Sequence, residues 1–234
     1  TVEKNLFTGT DGADVIIGTA IRDVVRSLEG DDWVEVGDGD DFVSTSEGND
    51  TVFATSGTNI INLGIGNDIA QGGSGDDKIT GFEGNDIIHG GAGHDHVVGS
   101  NGNDSLVGGL GDDRGDGGDG IDTIIGGEGN DWLNGGNDDD IVEGGEGNNR
   151  LNGGYGNDLV TGGSGDDWAN GGDGQDTVHG GHGDNRLTGG YGDDWVTGGD
   201  GNDWIAGGDG NDLIEAGQGN NRLAGGIGDD TITA

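Results

Sequence analysis

Cysteine, proline and methionine are all absent from this chain of 234 residues. Without cysteine there is no disulfide, no zinc–thiolate centre and no thiol nucleophile. Basic residues are scarce as well: 8 Lys+Arg against 47 Asp+Glu leave a net charge of -39. A chain so charged repels itself and is not expected to be compact without a counter-ion. The same charge sets nucleic acid and anionic membrane aside as partners of the free chain. No apolar run has the length of a signal peptide or transmembrane segment, and the first residue is Thr, so a mature chain or an excerpt of a longer one is expected. Hydrophobic residues reach only 28% while glycine contributes 61 positions. Composition alone would suit a Gly/Asp-rich linker.

The order of the residues argues otherwise. One nine-residue frame, Gly-Gly-x-Gly-x-Asp-x-(apolar)-x, runs from end to end without an insertion, as in the stretch 126–134, GGEGNDWLN. A linker has no reason to hold an aliphatic residue at every ninth place. Position eight does so almost throughout, for example at Val52, Ile61, Ile79, Leu106, Ile124, Leu133, Val160 and Ile214. Glycines at positions one, two and four permit positive φ and close backbone approach, so six residues can turn tightly. Such a turn points carbonyl oxygens inward, and the position-six carboxylate joins them. That set suits a hard cation taking six to eight oxygen ligands in loose geometry, which is calcium rather than magnesium.

The expected metal ligands are therefore the position-six side chains. They are Asp14, Asp32, Asp41, Asp50, Asp68, Asp77, Asp86, Asp95, Asp104, Asp113, Asp122, Asp131, Asp140, Asp158, Asp167, Asp176, Asp194, Asp203, Asp212 and Asp230, with Asn149, Asn185 and Asn221 at the same place in the frame. Roughly 20 calcium ions would cancel most of the charge. The loop TAIRDV (19–24) has Ile21 where glycine is expected and Arg22 beside Asp23, so it is expected to bind weakly or not at all.

Positions seven to nine are expected to form a short strand, with position eight facing a core. One unit buries one side chain and cannot stand alone; two units per flattened turn, stacked about 4.8 Å apart, can. The fold class is thus all-β: a parallel β-roll, a two-sheet calcium-binding solenoid with about 18 residues per turn and a length on the order of 60 Å.

The frame GGxGxDxUx resembles that of the RTX (repeats-in-toxin) proteins, and the resemblance covers nearly the whole chain. It implies a calcium-binding β-roll that is secreted or at the cell surface. RTX proteins typically leave by type I secretion on a C-terminal signal, and nothing after Ile232 looks like one. Two functions follow from it: a non-catalytic structural or adhesive β-roll, or the repeat module of a larger secreted enzyme or toxin, resembling those of alginate epimerases, lipases and serralysin-type proteases. Ice binding, known among RTX-type rolls, is disfavoured because position three carries Glu83, Asn101, Asp119, Tyr155, Tyr191 and Asp209 instead of a Thr row.

Two segments differ in quality. Residues 1–71 are read as the same roll with degenerate repeats: from about 19 to 64 the paired glycines are largely lost, with Ser27-Leu28, Thr45-Ser46 and Ala54-Thr55 in their place, which suits stiffer, less calcium-loaded loops and an N-terminal cap. Residues 72–234 stay near consensus and continue the same roll. Gly115 falls at a core position, where a soft spot or cavity is expected, and Asp138 replaces glycine four, where strain is expected.

A second period, of thirty-six, lies over the nine. Position seven of alternate units reads Lys78, His96, Arg114, Trp132, Arg150, Trp168, Arg186, Trp204, Arg222, a cation–π ladder on one outer face. Mutual stacking with relief of repulsion is one reading; a strip for a glycan, an anionic polymer or a neighbouring protein is the other. The opposite sheet carries a more apolar row of Val15, Trp33, Ile69, Ile87, Ile141, Leu159, Trp195 and Leu213, a candidate contact surface. The frame would also continue from Ala234 to Thr1 of a second copy, so the chain is expected either to belong to a longer roll or to assemble into filaments or layers in calcium.

No enzyme is expected. His94 and His96 flank Asp95 but read as variable repeat positions, and no P-loop, nucleophile elbow or Cys–His signature occurs.

Overall fold

The computed structural model describes residues 4–234; Thr1, and with it the expected junction to Ala234, lies outside the described residues. The described chain forms twenty-six strands in chain order, β1 (Asn5–Thr8) to β26 (Thr231–Thr233), and none of its elements is a helix. No helix is therefore long and apolar enough to cross a membrane. Odd-numbered strands make one thirteen-stranded parallel sheet, A, and even-numbered strands a second, B. Each strand pairs with the next but one at an offset of eighteen residues, as Trp132 with Arg150 and Leu133 with Leu151. The architecture is the expected parallel β-roll, with thirteen turns.

Position eight fills the space between the sheets. Val25, Val34, Val43, Ile61, Ile79, Ile88, Leu106, Ile124, Leu133 and Ile205 are all buried. In the N-terminal turns a second row joins it from position one, where Val36, Thr45, Ala54 and Leu63 are buried in place of glycine.

The strands are longer than expected. Most have six residues, as β15 (Trp132–Asn137), and take in positions seven to nine and then one to three of the next unit. The burial alternation persists through them: exposed Trp132, buried Leu133, half-buried Asn134, buried Gly135. The glycine pair thus lies within the strand, and positions four to six alone make the turn. Glycines two and four do take positive φ, 124° at Gly136 and 135° at Gly129. Position one is glycine for a different reason. A Cβ on Gly126 would meet Asp131 Oδ2 and lie 2.6 Å from the Gly144 carbonyl oxygen.

Two local expectations resolve, and one irregularity is new. Asp138 does adopt positive φ, 76°. Gly115 leaves no cavity: a Cβ there would lie 2.9 Å from Ile124 Cγ2 and 3.0 Å from Leu133 Cδ2, so neighbouring aliphatics occupy the space. Finally, the register slips where β4 (Trp33–Asp38) meets β6 (Thr51–Ser56), with Gly37 opposite Ala54. Thr55 stands where the second glycine belongs, and a β-branched residue resists positive φ.

Candidate metal centre

The two oxygens of each position-six carboxylate have separate environments. In the turn of Asp131, Oδ1 accepts the backbone N–H of Asp113, one turn earlier, at 2.8 Å. This bond recurs up both turn stacks, for example from Asp77 to Asp95 and from Asp158 to Asp176, both 2.8 Å. Oδ1 therefore staples one turn to the next. Oδ2 has no such role: in every position-six aspartate from Asp32 to Asp212, eighteen in all, it is buried without a hydrogen-bond partner. A buried ionised oxygen left unpaired is costly, so a systematic set of them calls for a positive charge.

The surroundings of Oδ2 are visible where asparagine replaces aspartate. Asn59 Nδ2 donates to the carbonyls of Gly57 and Gly72 at 3.4 and 3.3 Å. Asn149 Nδ2 donates to Gly147 at 3.3 Å, and Asn185 Nδ2 to Gly183 at 3.1 Å. The δ2 atom thus faces the position-four carbonyl of its own loop and, at Asn59, the position-one carbonyl of the next turn. At Asp131 the corresponding oxygens belong to Gly129 and Gly144, and the Gly144 oxygen and Oδ2 both abut the Cβ-sized space at Gly126. Among the described residues no three His, Asp or Glu side chains converge. Each cradle instead combines one carboxylate with main-chain oxygens, a hard all-oxygen set that fits calcium. Calcium, when bound, supplies the divalent charge that these oxygens lack.

Burial lifts many of these acids above the usual carboxylate range. Asp68, Asp113, Asp122, Asp140 and Asp194 are pushed up to about 7, first by desolvation and then by carboxylates of adjacent turns, with the staple hydrogen bond opposing. Asp77, Asp131 and Asp167 rise to about 6, again chiefly by desolvation.

The remaining expected ligands differ. Asp14 Oδ2 receives the N–H of Thr10 at 2.5 Å and its hydroxyl at 3.1 Å, because Thr10 occupies a glycine position. Asp23, expected to bind weakly, has Oδ2 engaged in the same way by Thr19 at 2.6 and 3.3 Å, while Asn5 Nδ2 donates to its Oδ1 at 2.9 Å. Asp230, half-buried at the last turn, keeps the staple to Asp212 at 3.1 Å. Asn149, Asn185 and Asn221 also keep the staple, accepting from Asp131, Asp167 and Asp203 at 2.8, 2.9 and 2.7 Å.

Sequence reasoning left Asn59, which also stands at position six, out of the ligand set and missed a second ladder at position five. There the side-chain oxygen accepts from the backbone N–H of the following turn, as Asn67 from Asn85 and Asn85 from Asn103, both 2.7 Å. The signal was present as a recurring Asn or Asp just before position six. His94 joins this ladder, its Nδ1 accepting the Asp112 N–H at 2.9 Å, while His96 lies on the outer face between Lys78 and Arg114. The two histidines are not brought together around Asp95.

On the outer face of sheet A the ladder of cations and indoles is formed. Arg114 lies 4.6 Å from the Trp132 ring, Arg150 4.5 Å from Trp168 and Arg186 3.7 Å from Trp204. Among the described residues the one close ion pair is His182 with Asp200, so none of these arginines is paired with a carboxylate. On sheet B the apolar row is exposed at Val15, Trp33, Ile69, Ile87, Ile141, Leu159, Trp195 and Leu213.

A parallel β-roll whose turn stacks repeat donorless carboxylate–carbonyl cradles defines a cation-binding repeat protein. Which cation follows from the family: the model for the RTX calcium-binding nonapeptide repeat matches ten overlapping segments, from 8–43 to 197–232, and the chain belongs to this family. No curated protein matches it.

Proposed function

We propose that this chain is a calcium-folded, non-catalytic structural or adhesive rod that works outside the cell. The observation that carries the reading is the column of buried, partnerless Oδ2 atoms from Asp32 to Asp212. With net charge -39, the chain needs many divalent ions before it can pack into thirteen turns. Sites of this kind in extracellular modules fill at about 10⁻⁴ to 10⁻³ M calcium, so export would couple folding to the higher calcium outside. The position-six aspartates from Asp32 to Asp212 are the ligands in this reading, and residues 1–71, with their second core row, are its stiffer end.

Adhesion is assigned to the two outer faces. The arginines stacked on Trp132, Trp168 and Trp204 offer guanidinium edges to an anionic glycan, and the exposed apolar row of sheet B offers a surface for a second copy. The test is direct. In chelator the chain should be expanded and lack β signal by circular dichroism. Millimolar calcium should give a rod on the order of 60 Å by solution scattering, and magnesium should do so poorly. A folded chain in excess EDTA at pH 8 would remove the proposal. In calcium, a monodisperse monomer at high concentration that ignores an immobilised polyuronate would remove the adhesive part.

A further inference from the structure

Asn59, Asn149, Asn185 and Asn221 hold the ligand position with a side chain that cannot do both of its jobs. Each Oδ1 is committed to the backbone N–H of the preceding turn, at 3.0 Å for Asn59 and 2.8 Å for Asn149. What remains to face the cradle is Nδ2, a donor without a free lone pair. It already bonds the position-four carbonyl that lines the cradle, Gly147 for Asn149 and Gly183 for Asn185, while at the last turn Asn221 donates to the Ala216 carbonyl of its own loop. Turning the amide over would set Nδ2 against the stapling N–H, donor against donor, and break both contacts. The buried atoms without partners include none from these asparagines, while every position-six aspartate from Asp32 to Asp212 contributes one.

We infer that the asparagine loops are ion-free steps, each closed by its own side-chain amide, so that calcium loads the sheet A turn stack discontinuously. This departs from the sequence expectation for Asn149, Asn185 and Asn221. From residue 131 onward the stack alternates Asp131, Asn149, Asp167, Asn185, Asp203, Asn221, and calcium fills every second step. The residue after each of the last three asparagines is Arg150, Arg186 or Arg222, so a fixed cation on the outer face accompanies each missing ion. These steps hold their turns together without metal, and the stack keeps sites of order at calcium levels too low to fill its neighbours.

The inference rests on calcium binding by the aspartate loops, and the experiment separates the two. Bound calcium per chain is measured by elemental analysis after equilibrium dialysis at saturating calcium, with circular dichroism as the control for folding. The triple variant Asn149→Asp, Asn185→Asp, Asn221→Asp should bind one additional ion per substitution. Asp167→Asn should lose one ion and stay folded. Asn149→Ala, which deletes the amide, should leave the count unchanged. A triple variant with the native count, or loss of an ion in Asn149→Ala, overturns the inference while leaving the aspartate sites intact. A native chain that binds no calcium overturns both.

Discussion

The guanidinium of Arg186 sits between two indoles, 3.7 Å from the Trp204 ring and 5.8 Å from the Trp168 ring, one turn to either side. It reaches no carboxylate, in a chain that carries 47 of them. The ladder therefore holds its charge against aromatic faces, where each contact contributes about 0.5–1 kcal/mol at an exposed site. Arg186→Ala should lower the melting temperature in calcium by about 1–4 °C and alter tryptophan emission. An unchanged melting curve and spectrum would mean that the stacking is incidental.

Position one should be intolerant of any side chain. In Gly126→Ala the new methyl would collide with Asp131 Oδ2 and approach the Gly144 oxygen. The cradle would be displaced, one ion lost, and stability in calcium reduced by about 2 kcal/mol or more, in the range of overpacking. Alanine at Asn130, exposed in the adjoining turn, should cost less than half as much. Equal effects at the two sites would contradict the clearance argument.

Gly115 makes the opposite case from a cavity. Because Ile124 and Leu133 already fill its space, Gly115→Ala should destabilise by about 1 kcal/mol, and Gly115→Leu by more. A gain in thermal stability in either variant would show that room remained.

Acid should partly replace calcium. In the ion-free roll burial pushes Asp167 up to about 6 and Asp122 up to about 7, above their ordinary 3.8. An acid with a raised folded pKa takes up a proton on folding. The stability of the ion-free roll is thus fully present below about pH 4 and is lost as pH rises through 6 to 7. A protonated Oδ2 donates to the cradle carbonyls as asparagine Nδ2 does. Dilute protein in chelator should therefore gain β signal as pH falls toward 4, whereas calcium affinity should weaken over the same range through proton competition. Equal disorder at pH 4 and pH 8 in chelator would exclude this.

The sequence alone determined the repeat, and the repeat determined much else. A nine-residue period with one aliphatic and one acid per unit admits few ways to bury the aliphatic, and stacking two units per turn is the one the chain adopts. Position eight, the rows at position seven and the place of the acid in the turn were therefore legible one unit at a time. So was the strain at Asp138, since the frame puts a non-glycine where φ must be positive.

What only the tertiary structure decided is which atom of one turn meets which atom of the turn eighteen residues on. Period does not carry that information. It does not tell that position-one glycine is there to clear an Oδ2, or that Ile124 and Leu133 lean into the gap at Gly115. Nor does it divide a carboxylate into a stapling Oδ1 and a partnerless Oδ2, or show that Asn149 turns a donor where Asp167 presents an oxygen. Thr10 satisfies Asp14 because a side chain at a glycine position brings a hydroxyl within 3.1 Å of the acid. The repeat supplies the groups, but hydrogen-bond direction across the stack assigns them, and direction exists only once the turns are laid on one another.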